Sequence, residues 1–133
     1  RILAPEAMGI PLAVPLSMRT GIPYTILRKR QYGLDGEIMV SYKTGYSDRV
    51  IYINGLSKGD RVVIVDDMVS MGGTLSAIIG ALRENGIVVK DVMVVFNKGG
   101  DIEEINRRLG IVVKRMLDVS LEDRKAVIAE PLG

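Results

Sequence analysis

The residues Val62 to Leu75, VVIVDDMVSMGGTL, hold the densest cluster of chemistry in the chain. They line up a run of β-branched residues, two acids at the end of that run, a short loop, Gly72-Gly73 and a threonine that opens a helix. Two glycines let backbone N–H groups turn inward toward one point. The helix that follows adds unsatisfied N–H groups and the positive end of its dipole, and together these make a cup suited to a phosphate monoester. Ser70 and Thr74 can add hydroxyl donors. Asp66 and Asp67 stand a few residues before the cup, much as the 2′ and 3′ hydroxyls of a ribose stand apart from its 5′-phosphate, so the constellation reads as a ribose-phosphate site. A lone Gly-Gly would be no more than a turn. Two acids directly after four β-branched residues, with Gly-Gly-Thr and a good helix behind them, argue against coincidence. A Walker A loop is excluded because no Gly-Lys-Ser/Thr occurs, and no G-x-G-x-x-G follows a strand.

The composition agrees with chemistry done by oxygen and backbone nitrogen. The chain has 133 residues, 47% hydrophobic and 26% charged, with a net charge of +2 and no Cys, His or Trp. Disulfide scaffolds, zinc ribbons, thiol nucleophiles and the Ser-His-Asp triad are thereby excluded. Any metal must be held by oxygen, which fits Mg²⁺ bound by few protein groups and completed by phosphates. The charge balance gives no whole-surface field of the kind that draws nucleic acid, and no run approaches the ~20 apolar residues of a membrane span. The expectation is a cytoplasmic protein with neither a membrane nor a nucleic acid as partner. Residues 1–133 are expected to form a single domain, large enough to bury ~65–70% of the surface of its unfolded chain. The chain starts at Arg1 rather than Met, and Ile2-Leu3-Ala4 reads as the end of a strand already under way, so an N-terminal segment is expected to precede it.

These groups must be positioned by alternating strands and helices. Val62 to Val65 and Val92 to Phe96 are short, continuous apolar runs that suit strands buried on both faces of a parallel sheet. Between them Leu75, Ile78, Ile79 and Leu82 recur at helical spacing and the segment closes at Gly86. Strand, helix and strand make a βαβ crossover, expected to be right-handed. Asp101 as N-cap, Glu103 and Glu104 in the first turn, Arg107 and Arg108 late and Gly110 after the end mark a second helix, whose charges complement its dipole. Ile111 to Leu117 reads as another strand and Tyr24 to Leu27 as a short one. Met8 to Arg19 is helical in pattern, with Pro11 in a first turn and Pro15 implying a kink or a shorter helix. Met8 and Met18 are expected in the core. From Lys29 to Asp48 a Gly-rich polar stretch points to a functional loop or a projecting hairpin. The class is α/β, an open and mainly parallel central sheet flanked by helices, with ligands beyond the carboxyl ends of the strands.

The segment VVIVDDMVSMGGTL closely resembles the phosphoribosyl-pyrophosphate (PRPP) signature of type I phosphoribosyltransferases, in which a β-branched strand and two acids precede a loop ending Thr-Gly-Gly-Thr or similar. The resemblance extends over most of the chain and is closest to purine enzymes of the adenine and archaeal hypoxanthine kind. Ala4 to Gly9 is similar to their pyrophosphate-binding loop, Ile26 to Arg30 to their next strand and basic segment, and Val40 to Tyr46 to their mobile catalytic loop. The resemblance implies the type I phosphoribosyltransferase fold, a homodimer, and transfer of a phosphoribosyl group from PRPP to a purine base in purine salvage, with pyrophosphate and a nucleoside monophosphate as products. It also implies roles. Asp66 and Asp67 would contact the ribose hydroxyls, and Val69, Ser70, Met71, Gly72, Gly73 and Thr74 would hold the 5′-phosphate. Glu6, Ala7, Met8 and Gly9 would hold pyrophosphate, and Tyr42, Lys43 and Tyr46 would belong to the mobile loop. The cofactor the resemblance implies is Mg²⁺, carried mainly by PRPP, with no protein group as a direct metal ligand.

The reaction suits those parts. Breaking the anomeric C–O bond leaves positive charge on the ribose and a departing pyrophosphate, which Mg²⁺ with Arg28, Lys29 or Arg30 could neutralise. Arg28 and Lys29 are the stronger candidates, against the alternative of a solvated charge run. Tyr42 and Tyr46 either pack the loop or cover the site when it closes and excludes water.

Three departures bear on the substrate. Met71 stands where these enzymes usually carry Thr, and losing that hydrogen bond to a charged group costs ~1.5–3 kcal/mol. Gly45 stands where adenine enzymes commonly have Glu, and Ser70 where mammalian-type hypoxanthine–guanine enzymes have an Asp base. Thr44-Gly45-Tyr46, Arg30 to Leu34 and Tyr52 to Gly55 instead resemble the archaeal hypoxanthine group. A 6-oxopurine (hypoxanthine or guanine) is therefore favoured, with adenine second. A non-catalytic regulator that senses PRPP or a nucleotide, or an inactive ribose-phosphate-binding module, are the readings of another class.

Overall fold

The β-branched run that carries the acids forms the middle of a long central strand, β5 (Arg61–Val69), and everything that positions the site is built out from it. A computed structural model describes residues 1–43, 46–122 and 125–131. Before β5 come β1 (Ile2–Pro5), α1 (Ile10–Thr20), β2 (Tyr24–Leu27), β3 (Ile38–Lys43) and β4 (Asp48–Ile53). After it come α2 (Gly73–Glu84), β6 (Val88–Lys98), α3 (Ile102–Leu109), β7 (Val113–Glu122) and β8 (Lys125–Pro131).

Six strands form one sheet in the order β2-β1-β5-β6-β7-β8, and β3 and β4 form a separate hairpin. All pairings in the large sheet are parallel except β7 with β8. This is the mainly parallel α/β sheet expected from the apolar runs. The first face is covered by α2 and α3, where Ile64, Val92 and Val113 meet Ile78, Leu82 and Ile105. The opposite face is covered in part by α1, whose Ala13 packs with Ile2, Ala4 and Val65.

The helix ends follow from their caps. Asp101 accepts a hydrogen bond from the N–H of Glu104 at 3.2 Å, and Gly110 closes α3 in the left-handed conformation, as its charges and glycine led one to expect. Helix α1 begins at Ile10, after Met8, with Pro11 in its first turn, and continues through Pro15 to Thr20. Among the described residues no helix is long and apolar enough to cross a membrane.

Three expectations change. The acids do not end their strand: pairing of β5 with β6 continues from Asp66↔Val94 to Val69↔Asn97, so the ladder carries the strand past both. Met8 and Met18 are not in the core but 60% and 81% exposed, because Met8 lies in the turn before α1 and Met18 on the helix's outer face. The strand after α3 starts at Val113 rather than Ile111 and runs on to Glu122, drawn out by its antiparallel partner β8, which apolar periodicity did not mark. The polar stretch after Lys29 leads into a hairpin, one of the two forms expected of it, and the stem of that hairpin is apolar: Ile38, Val40, Ile51 and Ile53 are buried in the same core as α2.

Candidate active site

Parallel strands end on one side, and the strand order brings the carboxyl ends of β2, β1, β5 and β6 next to one another. The segments of interest leave these ends in turn: 28–30 after β2, 6–9 after β1, 70–74 after β5 and 99–100 after β6. An open α/β sheet offers its ligand crevice at such an edge.

On β5 the two acids touch each other. The N–H of Asp67 donates to Oδ1 of Asp66 at 2.8 Å, and both side chains are half-buried. Burial, reinforced by the neighbouring Asp67 carboxyl, pushes Asp66 up to about 7. An acid poised there exchanges between hydrogen-bond donor and acceptor near neutral pH.

The turn after β5 reverses the chain through Gly72, whose φ of +79° is left-handed and favours glycine. Helix α2 starts at Gly73, and no side chain caps its first turn. The N–H groups of that turn have no partner inside the helix and face the edge where β5 ends. Thr74 therefore lies one residue inside the helix rather than opening it. Ser70 and Met71 are exposed, and the Ser70 hydroxyl lies 3.4 Å from the Lys98 carbonyl.

Beside β5, the turn from Glu6 to Gly9 joins β1 to α1, and the Glu6–Ala7 peptide is cis. Gly9 is pressed against its own strand: a Cβ there would lie 2.7 Å from the Pro5 carbonyl oxygen. The Glu6 carboxylate turns toward the end of β2. It accepts from the N–H of Lys29 at 2.5 Å and lies 4.0 Å from Nε of Arg28. Glu6, Arg28 and Lys29 are thus one cluster. The backbones of Arg28 and Tyr52 exchange two hydrogen bonds, of 3.0 and 2.7 Å, which tie the end of β2 to β4 of the hairpin.

Tyr42 and Lys43 end β3, opposite Arg49 and Asp48. Tyr42 packs against the core, whereas Tyr46 is fully exposed. Thr44 and Gly45 lie outside the described residues. Among the described residues no group of three or more Asp, Glu, His or Cys is arranged to hold a metal ion.

The profile of the phosphoribosyl transferase domain matches residues 1–126. The chain belongs to this family. It is 46% identical, over its whole length, to a protein of Methanohalophilus mahii named hypoxanthine/guanine phosphoribosyltransferase, and covers 70% of that protein. It is 48% identical over 128 residues to a protein of the same name from Methanocaldococcus infernus, covering 96% of this chain and 70% of that one. Among solved structures, an adenine phosphoribosyltransferase from Thermoanaerobacter pseudethanolicus superposes with a TM-score of 0.74 at 26% identity, over 88% of this chain and 69% of the other. The sheet and its three helices are therefore the type I phosphoribosyltransferase fold.

Three residues of this phosphoribosyltransferase near the edge escape sequence reasoning. Asn97 is 5% exposed and donates through Nδ2 to the Gly100 carbonyl at 3.0 Å and to Asp118 Oδ1 at 3.2 Å. Its signal is a polar residue ending the apolar run of β6. Gly100 lies against the Ser70 carbonyl, and Arg108 Nη2 donates to the Met71 carbonyl. Nothing local marks Gly100, and Arg108 reads as a partner of the helix dipole alone.

Proposed function

We propose that this protein transfers the 5-phosphoribosyl group of PRPP to a 6-oxopurine, hypoxanthine or guanine, in purine salvage. The identity of 46% across all 133 residues to a relative named hypoxanthine/guanine phosphoribosyltransferase carries this reading. In the reaction the bond from C1′ to the pyrophosphate oxygen breaks and its electron pair leaves with pyrophosphate. A purine ring nitrogen then bonds to C1′ and loses its proton, giving the nucleoside monophosphate.

The residues divide the work along the edge. The loop from Val69 to Thr74 takes the 5′-phosphate on backbone N–H groups and the Ser70 and Thr74 hydroxyls. Asp66 and Asp67 hold the ribose hydroxyls and stabilise the positive charge that develops on the sugar. The turn of Glu6, Ala7, Met8 and Gly9 takes the pyrophosphate, with Arg28 and Lys29 neutralising it as it departs. Glu6 holds the Lys29 backbone N–H and lies beside the Arg28 guanidinium, which fixes where both residues leave β2. Tyr46 and Lys43 cover the bound PRPP and exclude water, while Tyr42 anchors the stem.

Mg²⁺ fits this donor set. Two neighbouring carboxylates are too few to build a metal site of their own, so PRPP and water oxygens would carry the ion, with Asp66 and Asp67 engaged by the ribose. When bound, the ion supplies charge neutralisation to the leaving group. We place the protein in the cytoplasm as a homodimer, a state that light scattering in solution tests.

The deciding experiment is a turnover assay with PRPP, Mg²⁺ and hypoxanthine, guanine or adenine in turn. Nucleotide from hypoxanthine and guanine is expected. Product from adenine alone would transfer the assignment to the second purine class, and PRPP binding with no product from any base would make the protein a sensor of PRPP.

A further inference from the structure

We propose that Arg108 of α3 is a positioning residue for the phosphate loop, holding the Met71 carbonyl on the outside so that the neighbouring N–H groups face the anion. The inference rests on the reading that residues 69–74 hold the 5′-phosphate.

The physical requirement is general. An anion cup works only if its peptide N–H groups point in, which forces the intervening carbonyls out. A carbonyl turned inward would set its negative end against a phosphate dianion. In a surface turn containing Gly72 and Gly73 the peptides are free to rotate unless something outside the loop holds them. Here Arg108 Nη2 donates to the Met71 carbonyl oxygen from outside. A Cβ on Gly72 would lie 2.8 Å from the same nitrogen and 3.1 Å from Cγ2 of Ile105, so α3 is pressed against the back of the turn. Ile105 is buried, which anchors that face of the helix.

The preceding residue is backed in the same way. A Cβ on Gly100 would lie 2.1 Å from the Ser70 carbonyl oxygen, closer than any side chain allows. The carbonyl of Gly100 is itself held by the buried amide of Asn97. Ser70, Met71 and Gly72 therefore all rest on the segment from β6 to α3. Arg108 forms no ion pair among the described residues, so its charge also stands uncancelled behind the cup, where it favours a bound anion.

Arg107 provides the control. It is also exposed and also sits in the last turn of α3, so both arginines serve the helix dipole equally, and only Arg108 touches the loop. In the full chain, Arg108→Ala is expected to raise KM for PRPP about ten-fold, equivalent to ~1.4 kcal/mol. Its kcat should stay within about two-fold, since the contact acts on binding rather than on the reacting bond. Arg108→Lys should recover part of the loss, and Arg107→Ala should leave KM unchanged. Calorimetric titration with PRPP and Mg²⁺ gives the same comparison without the purine. Equal KM values for the two alanine variants would overturn the inference. The double variant Ser70→Ala/Thr74→Ala separates it from its premise. If that variant raises KM and Arg108→Ala does not, only the role of Arg108 falls; if neither changes KM, the phosphate loop itself is misassigned.

Discussion

The N–H of Asp67 donates to Oδ1 of Asp66 at 2.8 Å, and neither carboxylate has a cationic partner among the described residues. The pair is held together by backbone geometry while burial raises Asp66 to about 7, from an ordinary value of 3.8. The folded protein therefore binds a proton at Asp66 that the unfolded chain has already released between about pH 4 and 7. Stability falls as pH rises through that window and is level above it. Asp118 and Glu37, whose values are lowered by Arg115 and by Asn54 respectively, act in the opposite sense at more acid pH. In Mg²⁺-free buffer without PRPP, thermal melts should show a higher Tm at pH 5.5 than at pH 8. Asp66→Asn should flatten the difference, and an unaltered slope in that variant would remove Asp66 as its source.

The same pair should matter in turnover. Replacing Asp67 with Asn keeps the shape but removes the charged acceptor proposed for a ribose hydroxyl, and a hydrogen bond to a charged group is worth ~1.5–3 kcal/mol. A loss of about 10- to 100-fold in kcat/KM for PRPP is expected, read in the nucleotide-forming assay. Wild-type rates in Asp67→Asn would take it out of the mechanism.

Met71 is 75% exposed at the rim of the loop, so a smaller polar residue fits there without repacking. Met71→Thr should add a hydroxyl donor to the proposed phosphate loop and lower KM for PRPP by up to about ten-fold. Steady-state kinetics at saturating purine checks this, with Tm expected to change little.

The two tyrosines of the hairpin should separate cleanly. Tyr42 packs on the core, so Tyr42→Ala should cost ~1–3 kcal/mol of stability in denaturant titration. Tyr46 is fully exposed, so Tyr46→Ala should leave stability within ~0.5 kcal/mol while increasing PRPP hydrolysis relative to transfer. Equal hydrolysis in the two variants would deny Tyr46 a covering role.

What could be read from the chain beforehand was whatever repeats locally. The strand from Val62, the apolar stripe of α2 and the capped α3 each carry their signal within one element, and each formed. The strand end after the acids could not be read, because the ladder that extends β5 to Val69 is supplied by β6, whose own register depends on the whole sheet. The buried stem of the hairpin was hidden by the glycines and charges around it. Met18 misled because a methionine in a helical pattern says nothing about which side of α1 meets the sheet. At the site, the glycine loop and the acids are contiguous and therefore visible. Asn97, Gly100 and Arg108 reach the loop only through tertiary packing, and Arg108 already had a sufficient local explanation.

The two backbone bonds between Arg28 and Tyr52 make a seam between the six-stranded sheet and the hairpin. Because of that seam, a shift of the strand end that carries Arg28 and Lys29 is passed on to the stem of the hairpin. On the proposed assignment of Arg28 and Lys29 to the leaving pyrophosphate, its departure is coupled to the position of that stem. Changes deep in the hairpin stem, far from any ligand, should accordingly register first as altered product inhibition by pyrophosphate.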